Sequence, residues 1–249
     1  MNGSRLAVLL SALALAAPSG AETLKVLALE SGSFFYQKDG KLTGIEHDIL
    51  DYFVKSRGDT IEVEWVDSFA GMLERIERGE ADLAAGTITI TPERSRRLDF
   101  SAPYFPVQVV LVERASEDTK SLTELVGHKV ACFTRTTAED ALKAVPGIIV
   151  VNEGTLQDQM KAIDRGELRA AAADSSAIIP ELENFPNLKV GMALGAESGF
   201  GFALPRNSPL TAPLTKHVRK LRGSPIYFRL VTTHMGPRAS EVVKAAKIE

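Results

Sequence analysis

Residues 79–105 read GEADLAAGTITITPERSRRLDFSAPYF. The pattern predicts the end of one helix, a short apolar strand, a hydroxyl-rich loop and the start of a second helix. Thr91 has the side chain of an N-cap, and Pro92 suits the first helical position. That spacing puts Arg94 in the first turn, where the helix dipole disfavours a cation. An anion shared between the guanidinium and the free backbone N–H groups would remove the conflict. Thr87 and Thr89 lie two residues apart, so in extended chain they point the same way. Hydroxyls, free N–H groups and an arginine together make a carboxylate receptor. An ordinary cap with Arg94 in a surface ion pair would use the same residues, so spacing alone leaves both readings open.

Working outward, strand and helix patterns alternate. Residues 24–29 (LKVLAL) form a short apolar run, read as a buried strand. Residues 40–44 predict a turn. Residues 46–56 carry Ile49, Leu50, Phe53 and Val54 at helical spacing. Residues 61–66 alternate as a strand, Met72, Leu73 and Ile76 mark a helix ending near Gly79, and residues 81–85 return to strand. This order predicts an α/β fold with a mainly parallel sheet. The pattern then restarts. Residues 122–126 predict a short helix and residues 129–133 a strand. Thr136 opens a helix with a capping box to Glu139, and residues 156–163 a further helix that ends at Gly166.

The two halves echo each other. Residues 72–87 (MLERIERGEADLAAGT) and 159–174 (QMKAIDRGELRAAAAD) share a helix ending in Arg-Gly-Glu, followed by an Ala-rich strand. Counting on from Gly79 and Gly166 gives Thr87 and Asp174 at equal offsets, each expected just past the carboxyl end of a strand. Open α/β sheets bind ligands there, at topological switch points. Two such lobes facing each other would set Thr87 and Asp174 on opposite walls of one cleft. So short an echo also arises by chance, and Asp174 has a second use as the N-cap of a helix opening at Ser175-Ser176.

Composition and the chain ends narrow the function. Net charge is −3 and 45% of residues are hydrophobic. That gives no basic footprint for nucleic acid and enough apolar residues for real cores. The four histidines are scattered without metal-ligand spacing, so neither a metal nor a cofactor is expected. The single cysteine, Cys132, lies in the apolar run KVACF and reads as a buried, inert thiol. Arg5, an apolar stretch over residues 6–17 and the small residues Ser19-Gly20-Ala21 have the order of a signal peptide cleaved after Ala21. The mature protein is then expected to be exported, which for a bacterial protein means the periplasm.

The run TITITPERSRRLDFSAPYF resembles the signature of the bacterial extracellular solute-binding proteins of family 3, the amino-acid receptors of ABC importers. The resemblance extends over residues 24–230. It implies a type II periplasmic-binding-protein fold, with two α/β lobes joined by a two-strand hinge. The expected division is residues 1–21 as signal peptide, 22–112 with 201–249 as lobe 1, and 113–200 as lobe 2. Residues 106–113 and 200–204 would be the crossings, and residues 214–221 and 226–231 C-terminal helices returning to lobe 1. The Lys-rich tail after Gly236 reads as a solvated, fraying end.

The resemblance also implies a site. Arg94 takes a ligand α-carboxylate, and Thr89 gives it a hydroxyl and a backbone N–H. Thr87 meets the α-ammonium through its carbonyl or hydroxyl, and Asp174 pairs with that ammonium. Thr137 closes on the carboxylate from the second lobe. Phe69 matches an aromatic that stacks on the ligand side chain, with an ordinary core role as the alternative. Glu30 matches a contact to the ligand's distal end, where an acid suggests a basic or amide side chain. Two departures stand out. Arg135 sits where the family usually has a small residue, often glycine; it would enter the cleft to choose an acidic side chain, block large ligands, or lie exposed at the rim. The first loop, ESGSFFYQKDG, lacks the family's common proline and is similar to the receptor-like domain of membrane-bound lytic transglycosylases.

Three functions are expected, in this order. The first is a monomeric, non-enzymatic receptor that closes on an α-amino acid and delivers it to an inner-membrane ABC permease. The second is a sensor or regulatory ligand-binding module for another envelope protein. The third is a cyclohexadienyl-dehydratase-like enzyme with an acid in the cleft, against which Asp174 as an ammonium partner argues.

Overall fold

The computed structural model describes residues 21–152, 154–236 and 239–240. The expected signal peptide and the Lys-rich tail lie almost entirely outside them. The first half of the chain runs β1 (Thr23–Ala28), β2 (Tyr36–Lys38), β3 (Lys41–Thr43), α1 (Ile45–Lys55), β4 (Thr60–Trp65), α2 (Phe69–Glu77), β5 (Leu83–Ala85) and β6 (Leu98–Phe100). It continues through β7 (Phe105–Arg114), β8 (Lys129–Ala131), α3 (Thr137–Lys143), β9 (Ile149–Val151), α4 (Leu156–Asp164), β10 (Ala170–Asp174) and α5 (Ser175–Glu181). The chain returns through β11 (Leu188–Phe200) and β12 (Ala203–Pro205) to α6 (Thr211–Arg222) and α7 (Pro225–Met235). Among the described residues, no helix is long and apolar enough to cross a membrane.

Two five-stranded sheets organise these elements. The first runs β4-β1-β5-β12-β6 and the second, read from its parallel edge, β9-β8-β10-β7-β11. The orders are equivalent. Both sheets start with parallel pairs, and both change to antiparallel after the middle strand. β5 and β10 are those middle strands, covered on both faces. That is why Leu83, Ala84 and Ala85, and Ala170, Ala171 and Ala172, are fully buried and the segments read as unbroken apolar runs.

The repeated Arg-Gly-Glu turns have one geometry. Gly79 and Gly166 adopt φ of 71° and 79°. Such left-handed backbone favours glycine and lets the chain leave a helix sharply. The Gly79 N–H donates to the Ile76 carbonyl and the Gly166 N–H to the Ile163 carbonyl, both at 3.0 Å. The flanking side chains pair as well, Arg78 Nε to Glu80 at 2.7 Å and Arg165 Nε to Glu167 at 2.6 Å.

Several expectations are corrected. The helix after Thr91 is only a 3-10 turn, Arg94–Arg96. Thr91 Oγ1 still accepts from the Arg94 N–H at 3.1 Å, but Leu98 is recruited into β6 against β12, so tertiary pairing outweighs local helix propensity. Leu122–Leu125 is likewise a single 3-10 turn. The strand expected over 129–133 stops at Ala131. Beyond it the Cys132 carbonyl is taken by the Asn152 side chain at 3.2 Å. The expected division at 112/113 is not among these corrections: it lies within β7, one of the strands expected as crossings, which pairs with β11 from Phe105 to Arg114. The β2–β3 hairpin and β9 are additional elements, and α5 is the helix that the alternative reading of Asp174 placed at Ser175.

The crossings between sheets are tightly braced. The Ile90 N–H donates to the Gly199 carbonyl at 2.9 Å, and the Gly201 N–H to the Ile88 carbonyl at 3.0 Å. A Cβ at Gly201 would lie 2.8 Å from Ile90 Cδ1 and 3.3 Å from the Ser101 carbonyl oxygen, so a side chain there would have to push Ile90 aside. Phe34 packs edge-on against Phe105 and Phe200, with ring centroids 5.0 and 5.5 Å away. α6 and α7 pack on α1 of the first lobe. His234 of α7 meets Asp48 of α1 at 2.7 Å.

Candidate functional site

A cavity of about 720 Å³ lies between the two sheets. Glu30, Phe69, Thr87, Thr89 and Arg94 line it from one side, and Thr137 and Asp174 from the other. Seven of the eight residues anticipated for the site therefore meet in one space.

Arg94 is buried, at 7% exposure. Its Nη1 donates to the Thr89 carbonyl at 2.8 Å and its Nη2 to the Arg135 carbonyl at 3.2 Å, so the guanidinium is held by both lobes. The Phe69 ring sits 5.0 Å from it in a cation–π contact. Phe69 is only half-buried, so it serves as a wall of the cavity and not simply as core. Burial pulls the Arg94 pKa down, and Asp140 and Asp174 oppose that shift. Two carbonyls occupy two of the five guanidinium donors. The rest of the fork is available for a carboxylate.

The first lobe's loop is fixed from behind by a residue that sequence reasoning missed. Glu46, fully buried on α1, accepts through Oε1 from the N–H groups of Gly86 at 3.0 Å and Thr87 at 3.1 Å. The Tyr104 hydroxyl donates to the same oxygen at 2.5 Å. Burial raises the Glu46 pKa, and these hydrogen bonds pull against the rise. Thr87 is held at φ 51°, left-handed backbone that a β-branched residue rarely adopts. With its N–H committed to Glu46, Thr87 has its carbonyl and hydroxyl left for a ligand. The signal was available in the sequence: Glu46 falls on the same helical face as Ile49, Leu50 and Phe53, an acid inside an apolar stripe.

Asp174 ends β10 and occupies the N-cap position of α5, yet its side chain makes no cap hydrogen bond. Its Oδ1 is buried without a hydrogen-bond partner. Burial pushes its pKa up to about 7, with Arg94 opposing the rise. A carboxyl so placed lacks a cation, because an unpaired buried charge is costly.

Thr137 is the first residue of α3, and Thr136 is its N-cap, accepting from the Glu139 N–H at 3.3 Å. The reciprocal half of the expected capping box is displaced. Glu139 accepts from the Arg135 N–H at 2.6 Å and not from Thr136. Arg135 itself is a correction: its side chain does not line the cavity. The guanidinium forms an ion pair with half-exposed Glu74 of α2, on the opposite lobe. Arg135 adopts φ 60°, left-handed backbone that glycine takes most readily. The left-handed turn, with its N–H fixed by Glu139, leads the side chain outward to a half-exposed partner that needs little desolvation.

Phe133 is a second residue missed. Read from sequence as part of a strand, it lies beyond β8, lines the cavity and is 41% exposed. Cys132 beside it is buried, and desolvation pushes its thiol up to about 11. Among the described residues, no group of three or more His, Cys, Asp or Glu is placed to hold a metal ion.

The family model for bacterial extracellular solute-binding proteins, family 3, matches residues 28–237. The chain belongs to that family. A probable histidine-binding protein from Campylobacter jejuni is 28% identical over 189 residues, 74% of this chain and 73% of that protein. A membrane-bound lytic murein transglycosylase F from Ectopseudomonas mendocina is 25% identical over 182 residues, 69% of this chain but only 37% of the transglycosylase. Among solved structures, an ancestral arginine-binding protein bound to arginine superposes with a TM-score of 0.75 at 25% identity, over 86% of this chain and 98% of that one. The fold is that of the type II periplasmic-binding proteins, and the family supports a solute-binding role.

Proposed function

We propose that the protein is a periplasmic receptor that encloses an α-amino acid between its lobes and delivers it to an ABC permease. The observation that carries this reading is the pairing of Arg94 with Asp174 across one cavity. Arg94 is a buried cation with donors to spare, and Asp174 a half-buried carboxyl whose enclosed Oδ1 has no hydrogen-bond partner. A zwitterion needs one cationic and one anionic receptor group, held apart by its own geometry. Charge-assisted hydrogen bonds in such a site contribute about 1.5–3 kcal/mol each. The binding roles of Thr87, Thr89 and Thr137 rest on the same pose. The names of the relatives support amino acids as the ligand class. Delivery to a permease is supported by a relative in Haemophilus influenzae named as a probable amino-acid ABC transporter-binding protein. The order of features at the N-terminus supports export.

The likeness to a lytic transglycosylase favours a second reading, a regulatory ligand-binding module. A thermal-shift screen of ligand-stripped protein against the proteinogenic amino acids tests the first. A ligand at 100 times its Kd stabilises by about 2.7 kcal/mol. A stabilising amino acid whose effect disappears in Arg94→Ala supports the receptor. Silence across all of them removes the amino-acid reading.

A further inference from the structure

Two enclosed carboxyl groups flank the cleft, Asp174 in its second wall and Glu46 behind its first. Four acids are buried among the described residues, and three of them hold a cation. Asp59 meets Arg57 at 2.5 Å, Glu113 meets Arg169 at 3.1 Å and Glu139 meets Lys143 at 2.8 Å. Glu46, at 0% exposure, has no ion pair among the described residues. The groups that face it are the Tyr104 hydroxyl, the N–H groups of Gly86 and Thr87, and the Ser31 hydroxyl. Its two oxygens are used unequally. Oε1 accepts from Gly86, Thr87 and Tyr104, while the enclosed Oε2 has no hydrogen-bond partner. Ser31 Oγ, on the cavity-lining loop after β1, is likewise enclosed without one. A carboxylate spreads its charge over both oxygens, and half of it would stay unmet in a site without a cation, which is costly.

We propose that Glu46 is a positioning residue that works as a neutral acid, with Oε1 as the acceptor for the loop at Gly86 and Thr87 and a proton on Oε2 directed at Ser31 Oγ. The carbonyl oxygen then collects the three donors, and the acid hydrogen goes to the oxygen that has no partner. Burial, which raises the Glu46 pKa, acts in the same direction. The proton joins the loop after β1 to the loop after β5, so the first wall of the cleft becomes one piece without a charge behind it. It also separates the tasks of the two acids. The Tyr104 hydroxyl lies in the field of both Glu46 and Asp174, and neighbouring carboxyls resist ionising together. A neutral Glu46 leaves ionisation to Asp174, which on the amino-acid reading meets the ligand's ammonium. The proton on Glu46 does not depend on that reading, because it is held without a ligand.

Infrared spectroscopy of the ligand-stripped protein at about pH 8, where ordinary carboxyls are ionised, tests this. The Asp174→Asn variant serves as background, which removes the other raised acid. A protonated-carboxyl band should be present in that background and vanish when Glu46→Gln is added. Ser31→Ala should move the band, because the acid hydrogen loses its acceptor, and a band that stays in place overturns the part given to Ser31. Stability is the second readout. A group with a raised pKa contributes stability that is full below the ordinary glutamate range and is lost as pH rises through the folded value. Asp174→Asn should therefore still lose stability at alkaline pH, and adding Glu46→Gln should abolish that loss. At neutral pH Glu46→Gln keeps an acceptor and a donor in the same places. Its unfolding constant should stay within about tenfold of the parent's, far from that of Glu46→Ala. Absence of the protonated band, or a Glu46→Gln variant that unfolds as readily as Glu46→Ala, means a carboxylate and overturns the proposal. The spectra are of ligand-free protein, so silence in the amino-acid screen would leave this result in place.

Discussion

The two Arg-Gly-Glu turns, Arg78-Gly79-Glu80 and Arg165-Gly166-Glu167, are built alike to within a few tenths of an ångström in their hydrogen bonds and ion pairs. Each feeds the middle strand of its sheet. Past that strand the two lobes diverge. In the first lobe the chain ends at Gly86 and Thr87, whose N–H groups are satisfied by buried Glu46. In the second it ends at Asp174, a half-buried carboxyl whose enclosed Oδ1 has no hydrogen-bond partner. The loop N–H groups of one wall are met without a ligand, although Glu46 Oε2 is itself left without a hydrogen-bond partner, and the Oδ1 of the other wall's carboxyl is not. A repeated scaffold thus carries two unlike chemistries, and the difference lies in Thr87 against Asp174 at the same offset from the turn and in Glu46 of α1 behind the first of them.

The comparison can be broken most directly at its completed half. Glu46→Ala leaves two loop N–H groups and the Tyr104 hydroxyl without their acceptor. It should destabilise the protein by about 4 kcal/mol, measured by urea unfolding. A loss under about 1 kcal/mol would mean the loop is not held from behind. Arg94→Ala should weaken amino-acid binding by about 100-fold or more in calorimetry, near 3 kcal/mol, and retention of micromolar affinity would remove the guanidinium as anchor.

The unsatisfied half makes a pH-dependent prediction. Empty, Asp174 is raised from 3.8 to about 7. Its contribution to the stability of the unliganded protein is therefore fully present below about 4 and lost as pH rises through about 7. Asp174→Asn should flatten that fall and melt higher than the parent at alkaline pH. An ammonium ligand needs the ionised form, so affinity should strengthen as pH rises through the same region, with a proton released on binding. In Asp174→Asn affinity should be about 30-fold weaker and nearly independent of pH. A parent whose affinity ignores pH across this range would contradict the assignment. The smallest effect is expected at the rim. Arg135 and Glu74 are each about half exposed, and Arg135→Ala should change ligand affinity by no more than about threefold. A larger loss would make that ion pair part of closure.

The α/β alternation, the repeat and the placement of Arg94, Thr87 and Asp174 were legible because periodicity and equal offsets survive in a one-dimensional pattern. Residues 45–55 and 156–164 are helices within a residue of their predicted bounds. The failures share a physical cause. Arg94–Arg96 has the caps of a helix, but its continuation is claimed by a strand that begins at Leu98. Phe133 continues an apolar run, but the neighbouring strand ends at Val151, and among the described residues the Phe133 carbonyl is taken by the Thr136 hydroxyl and not by a strand. Glu46 acts from 40 residues away on Gly86, a contact that no local spacing encodes. The outward course of Arg135 depends on a φ of 60° and on Glu74, 61 positions earlier.

Cys132 has a practical consequence. It is the chain's one cysteine, sealed from solvent with a thiol that stays protonated well above neutral pH. A maleimide dye will therefore ignore the native protein. A cysteine introduced at Glu74 or Arg135, which face each other from opposite lobes, would be labelled alone. The two lips of the cleft can then carry an optical read-out of ligand without any change to the wild-type thiol.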